Sequence, residues 1–135
     1  MARILMMLIA LVALAQPARA DDISAAGRSV VRVVVIAFGE DGEVTDFGHG
    51  SGFAVGPNRI VTNAHVVQLA TQRPNAAVGV VPSEGDQSYR ARIVAIDPAR
   101  DLALLEMEQG RLPPTPLYVG RGPDRSPIAA GGYPR

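Results

Sequence analysis

GSGFAVGPNRIVTNAHVV, residues 50–67, decides the fold. Residues 50–55 and 59–63 are short runs rich in apolar side chains, and Gly56-Pro57-Asn58 between them holds the residue types that reverse a chain. The stretch therefore reads as a β-hairpin. Its second arm runs onto His65, one of two histidines in the sequence, and leaves it through Val66 and Val67. On this reading His65 stands at a strand end, where a sheet can fix its backbone while the imidazole projects into a cleft.

The neighbouring segments extend the pattern. Residues 28–38, RSVVRVVVIAF, are dense in β-branched side chains whose restricted rotamers suit a pleated surface, and the polar GEDGEVTDFG after them reads as a loop. AAVGVV (76–81) and YRARIVAI (89–96) are two more strands, separated by a turn that begins at Pro82. DLALLEME (101–108) is short and follows the Asp97-Pro98 break, which favours a sixth strand over a helical turn. Six short strands with hardly a helix among them predict an all-β, antiparallel barrel that hides its own edges. From residue 111 the chain is punctuated by Pro113, Pro114, Pro116, Pro123, Pro127 and Pro134, which reads as a linker. It ends on Ile-Ala-Ala-Gly-Gly-Tyr-Pro-Arg, the look of a further strand with nothing to pair with.

Residues 1–20 read as a secretory signal rather than as fold. Arg3 gives a positive start, Ile4 to Ala15 is an unbroken apolar run of twelve residues, and Ala18 and Ala20 place small side chains where a signal peptidase inspects them. A bilayer needs roughly 20 apolar residues, so this run is too short to span one. The expected product begins at Asp21 and is exported, to the periplasm or the exterior. Without Arg3 and Arg19 it carries eleven arginines against thirteen acids, a balance that points to neither nucleic acid nor a membrane surface as partner. Cysteine is absent, which excludes a disulfide, a thiolate metal site and a cysteine nucleophile. The remaining length suffices for one small domain, residues 21–110, followed by the linker segment 111–135.

His65 gains meaning from Asp101, at the head of an aliphatic strand in DPARDLALLEM. A general-base imidazole needs a partner that keeps one ring nitrogen protonated and supports the charge formed during reaction, and a carboxylate does both. Thr-Asn-Ala-His followed by Asp-Leu-Ala-Leu-Leu resembles the first barrel of trypsin-like serine endopeptidases, closest in style to secreted bacterial enzymes of the high-temperature-requirement type. The resemblance covers about residues 28–108 and, more faintly, the tail through Gly-Tyr-Pro. It implies a six-stranded Greek-key barrel, with His65 as the general base and Asp101 as the aspartate that orients it. Val66 stands where many animal relatives have a cysteine. It also implies polypeptide substrates, no cofactor, and a catalytic serine in a Gly-x-Ser-Gly-Gly context on a second barrel, of which residues 111–135 hold only the beginning. On that reading the chain alone is inactive.

Other candidates carry less. Ser51, in Gly-Ser-Gly, precedes the histidine in a hairpin where the glycines allow close strand packing, and Ser126 lacks a following glycine pair. Asp97 opens a turn. His49 reads as a solvated or capping residue. Pairing it with His65 as metal ligands would need further carboxylates at matching spacing, which the sequence does not offer. The acids Glu40, Asp41, Glu43 and Asp46 read as a solvated face without an EF-hand pattern. The rival to a peptidase is a binding module that keeps the histidine and aspartate but cleaves nothing.

Overall fold

A computed structural model describes residues 19–117, 120 and 130–133. The elements are α1 (Arg19–Ser29), β1 (Val30–Phe38), β2 (Val44–Gly56), β3 (Arg59–Thr62), α2 (Ala64–Gln72), β4 (Ala76–Pro82), β5 (Tyr89–Asp97) and β6 (Leu102–Met107). The six strands close into a barrel in the order β1-β2-β3-β6-β5-β4, and every neighbouring pair is antiparallel. Closure satisfies the ladder groups that an open sheet would leave unpaired at its edges. The chain leaves β3 through α2 and enters β4 beside β1, then returns with β6 beside β3, so the expected antiparallel all-β barrel is the observed one.

The near-continuous aliphatic run of β1 resolves into alternation. Val31, Val33, Val35 and Ala37 point into the barrel and are at most 1% exposed, while the residues between them face outward. Ile60, Leu105 and Val80 complete the interior, each fully buried. Burying such a side chain contributes about 1.5–3 kcal/mol. Outside, Glu106 of β6 ties three strands together by pairing with Arg59 of β3 and Arg92 of β5, each at 2.7 Å. The hydrogen bond from Arg92, more than the charge of Arg59, holds the Glu106 carboxyl below its ordinary value.

The β1–β2 turn is shorter than the loop expected from its polar composition. Gly39 N–H donates to Glu43 O at 2.8 Å and Gly42 N–H to Gly39 O at 3.0 Å. Gly42 has φ 81°, a left-handed conformation that glycine adopts without a Cβ penalty. Pairing with β1 then draws residues 44–48 into strand, setting Phe47 opposite Ile36 and His49 opposite Val34. Pairing with a fully formed neighbour outweighs the weak propensity of Thr-Asp-Phe-Gly for strand.

Two helices depart from the expectation of an almost helix-free chain. Residues 64–72 form a helix rather than a continuation of β3, because burial of Val66 (8% exposed) and Val67 (0%) against the barrel overrides the β preference of paired valines. The Asn63 before it is the residue type that starts helices, a signal the aliphatic flanks obscured. The other helix, Arg19–Ser29, runs into β1 and takes up the first two positions of the expected strand at 28–38. Most of the secretory segment, residues 1–18, lies outside the described residues. Among the described residues no helix is long and apolar enough to cross a membrane.

Beyond β6 the proline-rich segment follows the barrel surface. Leu112 N–H donates to Pro57 O at 2.7 Å and Thr115 N–H to Ala54 O at 2.9 Å. Ser29 Oγ donates to Pro113 O at 2.6 Å, and the Leu112 side chain joins the core. Prolines leave few N–H donors, and the remaining ones at 112 and 115 are spent on the hairpin. Further along, the tail returns to β2. Ser51 Oγ accepts the Tyr133 N–H at 2.6 Å, and the Arg32 guanidinium lies 4.9 Å from the centre of the Tyr133 ring. The Gly-Tyr stretch that lacked a partner in the sequence thus has one in the first hairpin.

Candidate active site

The site is built where β3 ends and where β6 begins, two strands that the barrel makes neighbours. Thr62 pairs with Ala103, which brings the residues just after β3 level with the residue just before β6. Those residues are Asn63, Ala64 and His65 on one side and Asp101 on the other. His65 is therefore not at a strand terminus, as the sequence suggested, but in the first turn of α2. Asp101 occupies the turn before β6.

That turn is set by its own side chains. Asp97 Oδ1 accepts the Arg100 N–H at 3.2 Å while its Oδ2 accepts from the Arg100 guanidinium at 2.8 Å, and Asp101 N–H donates to Pro98 O at 3.2 Å. Asp97, the last residue of β5, accordingly opens the turn, as expected from Asp-Pro. Closing the turn puts Asp101 at φ 54°, in the left-handed region. Aspartate and asparagine enter that region more readily than other non-glycine residues.

With its backbone so placed, the Asp101 carboxylate faces the start of α2. Its Oδ1 accepts the His65 backbone N–H at 2.9 Å, and its Oδ2 lies 2.7 Å from His65 Nδ1. The helix has no side-chain cap from Asn63, so a carboxylate from another turn of the barrel supplies the acceptor that a helix start requires. Asn63 instead turns outward, and its Nδ2 donates to the Asp101 backbone carbonyl at 3.0 Å. Asn63 was not singled out by the sequence reading; its place between a strand end and a helix start was the available signal.

These contacts decide the protonation pattern. The His65 backbone N–H is the largest influence holding the Asp101 carboxyl below its ordinary value, followed by the bond to the His65 ring, with the Ala64 N–H adding to them and partial desolvation opposing. An ionised carboxylate only accepts hydrogen bonds, so His65 Nδ1 is the protonated nitrogen. In the neutral ring the basic lone pair then sits on Nε2, the nitrogen away from the carboxylate. Both side chains are 46% exposed, so the pair faces a solvent-accessible cleft. A hollow beside it is lined by His65, Gln68, Thr71 and Gln72 from the helix, by Ile96 at the end of β5 and by Pro98 and Asp101 from the turn that follows.

The other candidates fall elsewhere. Ser51 lies in β2, and its hydroxyl is engaged by the Tyr133 backbone. His49 lies in β2 rather than in a loop. It is half-buried, with its ring centre 5.8 Å from that of Phe47 and a buried Nδ1 that has no hydrogen-bond partner in the structure. Ser126 lies outside the described residues. Among the described residues no group of histidine and acidic side chains could hold a metal ion.

A sequence profile described as the trypsin-like peptidase domain matches residues 50–135. The chain belongs to that family. Two curated proteins of Mycobacterium tuberculosis, the serine protease Rv3671c of strain H37Rv and the serine protease MT3772 of strain CDC 1551, are each 34% identical to it over 87 residues. The shared stretch makes up 63% of this chain and 20% of each relative, so the chain spans about a fifth of the curated proteins it matches.

Proposed function

We propose that this chain supplies the general base, His65, and its orienting carboxylate, Asp101, to an exported serine endopeptidase. The observation that carries the reading is the double hold of Asp101 on His65, which fixes both the position of the imidazole and its tautomer. Trypsin-like family membership and the serine protease relatives support peptide-bond hydrolysis as the reaction.

In that reaction a serine hydroxyl, contributed by a second barrel packed against the His65 face, attacks a peptide carbonyl. His65 Nε2 takes the hydroxyl proton as the Oγ–C bond forms, and the imidazolium is stabilised by Asp101. The same proton then goes to the leaving amine as the C–N bond breaks. Water attacks the acyl-enzyme in turn, giving its proton to Nε2, and the serine is regenerated. Polypeptide is the substrate; the side chain preferred at the cleaved bond is set by the second barrel. The apolar run before Ala18 and Ala20 supports export, with the mature chain starting at Asp21.

The experiment is hydrolysis of casein by a protein that joins residues 21–135 to the second barrel. Cleavage that disappears on His65→Ala supports the proposal. A folded protein of that kind that binds polypeptide without cutting it favours the binding module.

A further inference from the structure

Three glycines, Gly48, Gly50 and Gly52, alternate along β2 opposite Val35, Val33 and Val31, the inward residues of β1, and so share the inward side of the sheet. None of the three has a positive φ, so conformational freedom is not what they supply. Space is, and the three positions differ in it. A Cβ on Gly52 would meet the hairpin itself, 2.9 Å from Ile60 Cγ2 and from Val61 O, which is the close strand packing expected from the sequence. A Cβ on Gly48 would meet nothing within 4 Å. A Cβ on Gly50 would meet Val66 first: it would fall 3.0 Å from Cγ1 and 3.3 Å from Cβ, and closer still to Cγ2.

Val66 is the residue next to His65. Its side chain enters the barrel at the point that Gly50 leaves empty, and it is stiff, since two methyl groups on Cβ leave one favoured χ1 rotamer in a helix. A methyl group at position 50 is not accommodated by swinging a flexible end aside, so either the β2 backbone at position 50 or the first turn of α2 has to give. That turn carries the His65 N–H and ring that Asp101 holds at 2.9 and 2.7 Å.

We infer that Gly50 is a positioning residue for His65: its missing side chain seats Val66 in the barrel wall and thereby sets the distance between the His65 ring and Asp101. Its catalytic consequence rests on the peptidase reading above, whereas the geometric claim does not. A shift on the order of 1 Å at a catalytic group costs about 10²-fold in rate.

The test follows the His65 Nδ1–H proton by NMR in the chain of residues 21–135, where a ring N–H bound to a carboxylate gives a far-downfield resonance, alongside the thermal midpoint of each variant. The unaltered chain and Gly48→Ala should both show the resonance. Gly50→Ala should lose it or move it upfield, and Gly50→Ala combined with Val66→Ala, which clears the two methyl groups, should bring it back. Gly50→Ala with a lowered midpoint but an unchanged resonance would overturn the inference, leaving Gly50 a purely structural residue. If Gly50→Ala does not fold, the double variant decides: recovery of fold and resonance supports Val66 as the obstacle, and failure to recover overturns it. In the two-barrel protein Gly50→Ala should lower kcat about 10²-fold at unchanged KM, Gly48→Ala should not, and the double variant should restore it. A resonance that follows the series while no variant, nor the parent, cleaves casein would leave the positioning role standing and remove the peptidase reading.

Discussion

Asp101 holds His65 at two points, its Oδ1 on the backbone N–H and its Oδ2 on ring Nδ1. One carboxylate thereby caps a helix and sets a tautomer. Substituting Asp101 should accordingly disturb chemistry and helix start together, and the choice of replacement separates them.

Asp101→Asn keeps a residue that tolerates φ 54° and an oxygen for the His65 N–H, but replaces the second acceptor with an amide donor. The imidazole must then present its lone pair to the amide and carry its proton on Nε2. In the trypsin template the analogous change lowers turnover by about 10⁴ with the geometry intact, and a loss of that order, with only a modest drop in thermal midpoint from the weakened bonds, is expected here. Steady-state casein hydrolysis and a melting curve on the two-barrel protein check it; retention of more than a tenth of the activity would contradict the tautomer argument.

Acid should weaken the fold through Asp101 and Glu106. Both carboxyls are held below their ordinary values, 3.8 and 4.5, so the unfolded chain takes up protons before the folded one does. The stability they contribute is fully present above those ordinary values and is lost as pH falls through the lower folded-state values. Urea midpoints measured from pH 7 to pH 3 should fall, and should fall less steeply when Asp101→Asn and Glu106→Gln are combined. Parallel curves for the two proteins would show that neither carboxyl carries the effect.

Ile60 is fully buried at the centre of the barrel, so Ile60→Ala should destabilise the chain by about 2–5 kcal/mol through lost transfer energy and the cavity left behind. Chemical denaturation gives the figure. A loss below about 1 kcal/mol would mean that the interior collapses around the gap, contrary to the rigid packing expected of a closed barrel.

The barrel was legible because its signals are local. Gly56-Pro57-Asn58 marks a reversal, Asp97-Pro98 marks a break, and β-branched runs lie between such marks. The helix at 64–72 was not, since Val66 and Val67 favour strand on their own and become helical only by burying against strands distant in sequence. The pairing of His65 with Asp101 was expected from residue types that suit a general base together with the trypsin-like resemblance, yet the carboxylate's grip on the backbone N–H was hidden. It depends on the left-handed turn at Asp101, which no neighbouring glycine announces. Asn63 and Gly50 stayed obscure for a similar reason: each acts on a residue that the barrel, not the sequence, brings near.

Export should leave a defined end. Mass spectrometry of the secreted protein should find Asp21 first, since Ala18 and Ala20 satisfy the small-residue rule just after the apolar run. A secreted product still carrying residues 1–20 would overturn the assignment of that segment.

In the proposed reaction His65, held by Asp101, activates a serine carried by a second barrel. Labelling with a serine-directed fluorophosphonate tests it most directly, because the probe reacts only with a hydroxyl whose proton has a base to go to. The two-barrel protein should take the label on one serine of its second barrel, His65→Ala should abolish the reaction, and residues 21–135 alone should take up none. Labelling of Ser51, or labelling of the second barrel that survives His65→Ala, would contradict the account.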